Sequence, residues 1–142
     1  MGLTAATAFV LLPLSACSPN GVAEDRQPGI PTQLASALPT PTTSPTPGII
    51  GQDGPLAARL PENRIGIVTW GSSSCPPTAE SIKTNSDNIV EITFTPSKNN
   101  VCTADLAPTS HTLKLPDDAP KNGFTLRIRY NGAEGSTDIK VS

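Results

Sequence analysis

"FTLRIRY", residues 124–130, decides the fold of this chain. Phe124, Leu126, Ile128 and Tyr130 alternate with Thr125, Arg127 and Arg129. Successive strand side chains point to opposite faces, so the alternation describes a strand with one face in a core and the other in water. "NIVEITFT" (88–95) repeats it, setting Val90, Ile92 and Phe94 against Glu91, Thr93 and Thr95. "HTLKLP" (111–116) sets Leu113 and Leu115 against Thr112 and Lys114, and "STDIKVS" (136–142) closes the chain with Ile139 and Val141. "RIGIVTW" (64–70) is β-branched and bounded by Pro61 and Gly71. Such runs make half-buried antiparallel strands.

The punctuation agrees. "NSDN" (85–88) and "NGAEG" (131–135) are hairpin turns, the second short enough to pair the last two strands directly. "SKNN" (97–100) and "DDAPKNG" (117–123) read as loops, and shorter strands are expected at Ala79–Thr84 and Val101–Leu106. From residue 62 onward no segment carries ten residues of helical period. Six or seven short strands in about 80 residues predict an all-β fold, a small immunoglobulin-like antiparallel β-sandwich over 62–142.

Working outward, the composition changes before Glu62. Ser18 to Pro61 is 44 residues with nine prolines, including "LPTPTTSPTPG" (38–48). Prolines remove backbone donors and hold the chain near the polyproline conformation, and the apolar residues here show no period. Residues 17–61 therefore read as a disordered Pro/Thr/Ser-rich linker, reaching roughly 35–40 Å as a coil.

Farther back, Ala5 to Ala16 is apolar apart from Thr7, Pro13 and Ser15. As a helix it would rise about 18 Å, short of a bilayer core of about 30 Å, which fits a signal segment over 1–16 better than a membrane span. It ends in Leu14-Ser15-Ala16-Cys17, which resembles the bacterial lipobox. The resemblance implies cleavage before Cys17 and a diacylglyceryl group on its sulfur, holding the protein on the outer face of the cell membrane. "VTWGSSSCPP" and "CTADLAP" are similar to stretches in small envelope lipoproteins of actinobacteria, over roughly residues 64 to 142. Those relatives carry no assigned activity.

The chain has three cysteines. With Cys17 set aside, Cys75 and Cys102 are an even pair in an exported chain, which predicts a disulfide. A domain this small is marginal on burial alone, so a staple is welcome. A metal reading is weak, since only His111 could join them and no CxxC exists.

Composition narrows function without naming it. A chain of 142 residues allows one domain, and a formal charge of −2 with pI near 5.2 argues against nucleic acid as partner. His111 is the single histidine, placed among Thr109, Ser110 and Thr112 on what reads as the outward face or start of a strand. "GSSSC" (71–75) lacks the nucleophile elbow, and Asp117, Asp118 and Asp138 match no calcium loop. Glu80, Glu91 and Glu134 carry no spacing that singles out a carboxylate pair. No catalytic, cofactor-binding or metal-binding residue is expected.

Trp70, Arg127 and Arg129 are the candidate interaction surface. The arginines face one way, with Lys114 or Lys140 expected beside them, and could meet anionic wall polymer or headgroups. The plainer reading gives Trp70 to the core and the arginines to a solvated sheet face. The resulting expectation is a membrane-anchored envelope lipoprotein that displays a non-catalytic binding module. Its partner would be a wall polymer or another envelope protein. The alternative is an enzyme, or enzyme accessory, acting on cell-wall polymers.

Overall fold

The alternating runs become the strands of two facing sheets. The computed structural model describes residues 20–39, 54–85 and 88–142, so the lipobox, Cys17 and most of the proline-rich run lie outside the described residues. The elements are β1 (Asp25–Pro28), α1 (Thr32–Ala37), β2 (Leu56–Leu60), β3 (Arg64–Gly71), β4 (Thr78–Thr84), β5 (Ile89–Thr95), β6 (Ala107–Lys114), β7 (Phe124–Tyr130) and β8 (Thr137–Val141). One sheet has the order β1-β6-β3-β2 and the other β4-β5-β7-β8. The chain is an all-β sandwich.

Between the sheets lie Ile65 and Ile67 of β3, Val90, Ile92 and Phe94 of β5, Leu113 of β6, and Leu126 and Ile128 of β7, all buried. Each comes from the apolar parity of its run. Every pairing is antiparallel as expected except β5 with β7, which is parallel. The reason is the connection: after β5 the chain crosses to the other sheet, lays down β6, and re-enters beside β5 in the same direction. β3, β5 and β7 therefore finish, and β4, β6 and β8 begin, at one end of the sandwich. We call it the loop end; it carries loops 72–77, 96–106 and 131–136.

The sandwich begins well before residue 62, which corrects the linker expected over 17–61. β1 pairs with β6, and β2 pairs with β3 across the turn at Pro61–Asn63. The turn holds Glu62 and Asn63 at φ of 60° and 57°. α1 lies against the outer face of the first sheet, where Leu34 is buried with Ala58 and Val68 in a second cluster joined by Ile30, Leu38, Leu56, Leu60 and Trp70. Gly66 lets this happen: a Cβ there would stand 2.5 Å from Leu34 Cδ1. With both faces covered, β3 reads as a continuous apolar run rather than an alternating one. Among the described residues no helix is long and apolar enough to cross a membrane.

The segment Val101–Leu106, expected as a strand, is instead an exposed loop. Side chains satisfy its neighbourhood in place of a ladder: the Thr103 N–H donates to Ser74 Oγ at 2.9 Å, and the Ser73 N–H to Asp105 Oδ1 at 3.1 Å.

Candidate functional site

Cys75 and Cys102 stand at disulfide distance, Cα to Cα 5.5 Å, and join loop 72–77 to loop 96–106. Hydrogen bonds reinforce the join. Ser72 Oγ lies 2.8 Å from Thr103 Oγ1, and Asn99 Nδ2 donates to the Ser74 carbonyl at 3.0 Å. Thr103 also donates to Asp105. The donors from Ser73 and Thr103 hold the Asp105 carboxyl down at about 2, so it is ionised whenever the domain is folded near neutral pH.

Beside this join a groove of about 750 Å³ opens on the surface. Its walls come from four segments: Gly21 and Val22, Arg26 of β1, Thr78 and Glu80 of β4 with Ser74 and Pro76 before it, and Thr95 at the end of β5 with Pro96 to Asn99 after it. Arg26 is fixed by donating Nη1 to Thr78 Oγ1 at 3.0 Å. Glu80 accepts from Thr95 Oγ1 at 2.5 Å and from Asn131. Hydroxyls, amides and a few opposed charges thus stand fixed beside proline and valine surface. Such a lining can offer hydrogen bonds to a polar ligand, with modest apolar contact.

Gly21 pins the first described residues to this groove. It bridges Ala79 in parallel, and the Val22 N–H donates to the Ala79 carbonyl at 2.8 Å. A Cβ on Gly21 would fall 1.9 Å from the Ala79 oxygen, and its φ is +66°, so the approach needs glycine.

The candidate interaction-surface residues Trp70, Arg127 and Arg129 are not brought together. Trp70 is half-buried in the second cluster, on the outer face of the first sheet. Arg127 and Arg129 face outward on the second sheet. Arg127 donates Nε and Nη2 to the two Asp138 oxygens at 2.9 and 2.8 Å, and Arg129 Nε donates to Glu91 Oε2 at 3.1 Å. Lys83 Nζ reaches the other Glu91 oxygen at 3.2 Å. These partners hold Glu91 and Asp138 below the usual carboxylate range. The face is a ladder of alternating charge, already matched within the sheet, rather than a basic stripe. Of the lysines expected beside it, Lys140 is there and donates to Thr125, whereas Lys114 belongs to the other sheet.

His111 corrects its expectation. It is fully buried between the sheets, in the parity of Leu113 and Leu115, edge-on to Phe94 at 4.8 Å. Nε2 lies 3.0 Å from Thr69 Oγ1, and Nδ1 has no hydrogen-bond partner. Burial, followed by the positive charge of Arg26, pushes its pKa down to about 4, so the ring is neutral in the folded protein. Among the described residues no group of three His, Cys, Asp or Glu is placed to hold a metal.

The groove itself was not foreseen. "KNN" beside "SSSC" gives hydrogen-bonding residues no partner in sequence; only the Cys75–Cys102 pairing hinted that these loops meet. No protein family, curated protein or solved structure matches this chain.

Proposed function

We propose that this protein is an envelope lipoprotein, anchored through a lipid on Cys17, whose groove at the disulfide-tied loops binds a polar chain segment without chemically changing it. Wall polymer or an extended stretch of another envelope protein offers the right chemistry. The observation that carries the binding role is the groove, walled by Arg26, Glu80, Ser74 and Asn99 and braced by hydrogen bonds on both sides. Fixed donors and acceptors cost little ordering on binding, which favours affinity for a polar ligand. The only histidine is buried in the core beneath Arg26 and is not among the residues lining this groove, which favours binding over histidine acid–base chemistry. The lipobox resemblance at Leu14–Cys17 supports the anchor.

Two measurements test the reading. Intact mass of the membrane-extracted protein, before and after reduction, should show a chain starting at Cys17 with a diacylglyceryl group and two hydrogens gained on reduction. Cross-linking in envelope extracts should then retain a partner on the wild type and on Arg127→Ala, but not on Lys98→Glu at the groove rim. A partner lost with Arg127→Ala and kept with Lys98→Glu would move the site to the sheet face and refute the groove.

A further inference from the structure

Two independent features of the fold point to the same end of the sandwich. The first is the course of the chain as it enters the domain. At Gly21 the backbone runs parallel to β4. β4 starts at the loop end and Ala79 is its second residue, so Gly21, beside it, lies at the loop end. Cys17 is four residues before Gly21, a covalent reach of at most about 14 Å. The proline-rich run cannot extend that reach, because it lies between α1 and β2, inside the folded sequence rather than ahead of it.

The second feature is where apolar side chains are left in water. Among the described residues the exposed large hydrophobics are Val22, Val101 and Leu106, at 44%, 85% and 57% exposure. Val101 and Leu106 lie in loop 96–106, and Val22 lines the groove beside Pro96 to Asn99. All three therefore belong to the loop end, and among the described residues no other large hydrophobic side chain is exposed. Lys98, Asp105 and Glu134 give this end both signs of charge and no cationic excess.

We infer that the loop end is a membrane-contacting surface: the domain stands on the bilayer with Val101 and Leu106 at the headgroup–acyl boundary and the groove opening within about 14 Å of the anchor. This rests on the lipid anchor at Cys17. The occupant is the bilayer rather than a protein because the short covalent reach keeps this end at the surface, and isolated apolar tips suit an interface that is half wet. Mixed charge at this end makes the contact indifferent to headgroup charge. The groove consequently samples molecules at the membrane surface, not polymer tens of ångströms out in the wall.

The test uses the mature lipidated protein in phosphatidylcholine vesicles with acyl chains brominated near the headgroup. Val101→Trp places a fluorophore at the proposed contact, and Asp117→Trp places one in the loop at the opposite end; both sites are exposed, and wild type supplies the Trp70 background. Val101→Trp should lose about half of its added fluorescence relative to unbrominated vesicles, and Asp117→Trp essentially none. If the protein floats with the vesicles but Val101→Trp is unquenched, or Asp117→Trp is quenched as much, the orientation is overturned and the anchor stands. If the wild type carries no lipid and does not float, anchor and orientation fall together.

Discussion

His111 makes acid stability the sharpest test of the core. Its ring is neutral when buried, with a pKa near 4 against an ordinary 6.5. The unfolded chain therefore binds a proton through that interval which the folded chain refuses. Stability from this group is fully present above pH 6.5, falls as pH drops toward 4, and levels off below. Each pH unit inside the interval is worth about 1.4 kcal/mol, so the wild type should lose about 2 kcal/mol between pH 7 and pH 5. Glu91, Asp105 and Asp138 are held below their ordinary values, so their contributions disappear at lower pH and leave this window clear. The perturbation is His111→Leu, which keeps a buried side chain of similar bulk, removes the unpartnered Nδ1 and gives up the Thr69 contact. Urea unfolding at pH 7, 6 and 5 should give a falling midpoint for the wild type and a flat one for the variant. A wild type equally stable at pH 7 and 5, or a variant with the same slope, would refute the placement of this ring.

Other expectations follow from the same geometry. Cys75→Ser with Cys102→Ser opens a loop of 27 residues' separation, for about 3.5 kcal/mol of lost stability in the chain-entropy account. Scanning calorimetry should show Tm lower by roughly 15 °C, and a drop of only a few degrees would mean the loops hold themselves. Leu34→Ala should cost about 2–3 kcal/mol and Gly66→Ala about 1–2 kcal/mol, through a cavity and a clash at the same place. In a double-mutant cycle the Gly66→Ala cost should fall markedly once Leu34 is trimmed, leaving the 3.1 Å approach to Leu60 Cδ1; strict additivity would mean α1 does not dock there. Arg127→Ala should cost no more than about 1 kcal/mol in denaturant unfolding, because its pairing with Asp138 is partly solvated.

Much of the fold was legible because alternation carries it. β5, β7 and β8 match their runs, and the "NGAEG" turn joins β7 to β8 as read. What failed were elements whose identity is set by a distant partner. "DRQP" of β1 has no alternating apolar residues, and it is a strand because β6 offers it an open edge. "LAARL" of β2 hides its core side behind alanines, and Ala57 and Ala58 are buried on opposite faces. Proline density around them masked both. His111 was legible after all: counting back by two from Leu115 and Leu113 reaches it, and its polarity drew the reading outward instead. The groove was not legible, since its walls come from four segments that only the completed topology brings together.

The pairing of β1 has a consequence for the order in which the molecule can be assembled. Its ladder partner is β6, some eighty residues later, with β3 and the whole β4–β5 hairpin made in between. A chain appearing from its N-terminus therefore carries β1 as an unsatisfied row of donors and acceptors until residues 109–112 are available. Once β3 is made, at residue 71, it too lacks the neighbour on its β6 side. Until β6 appears the nascent chain keeps these edges open, a state prone to pairing with the wrong chain. The charged Asp25 and Arg26, with Pro28 ending the strand, are the kind of residues that discourage such pairing while β1 waits.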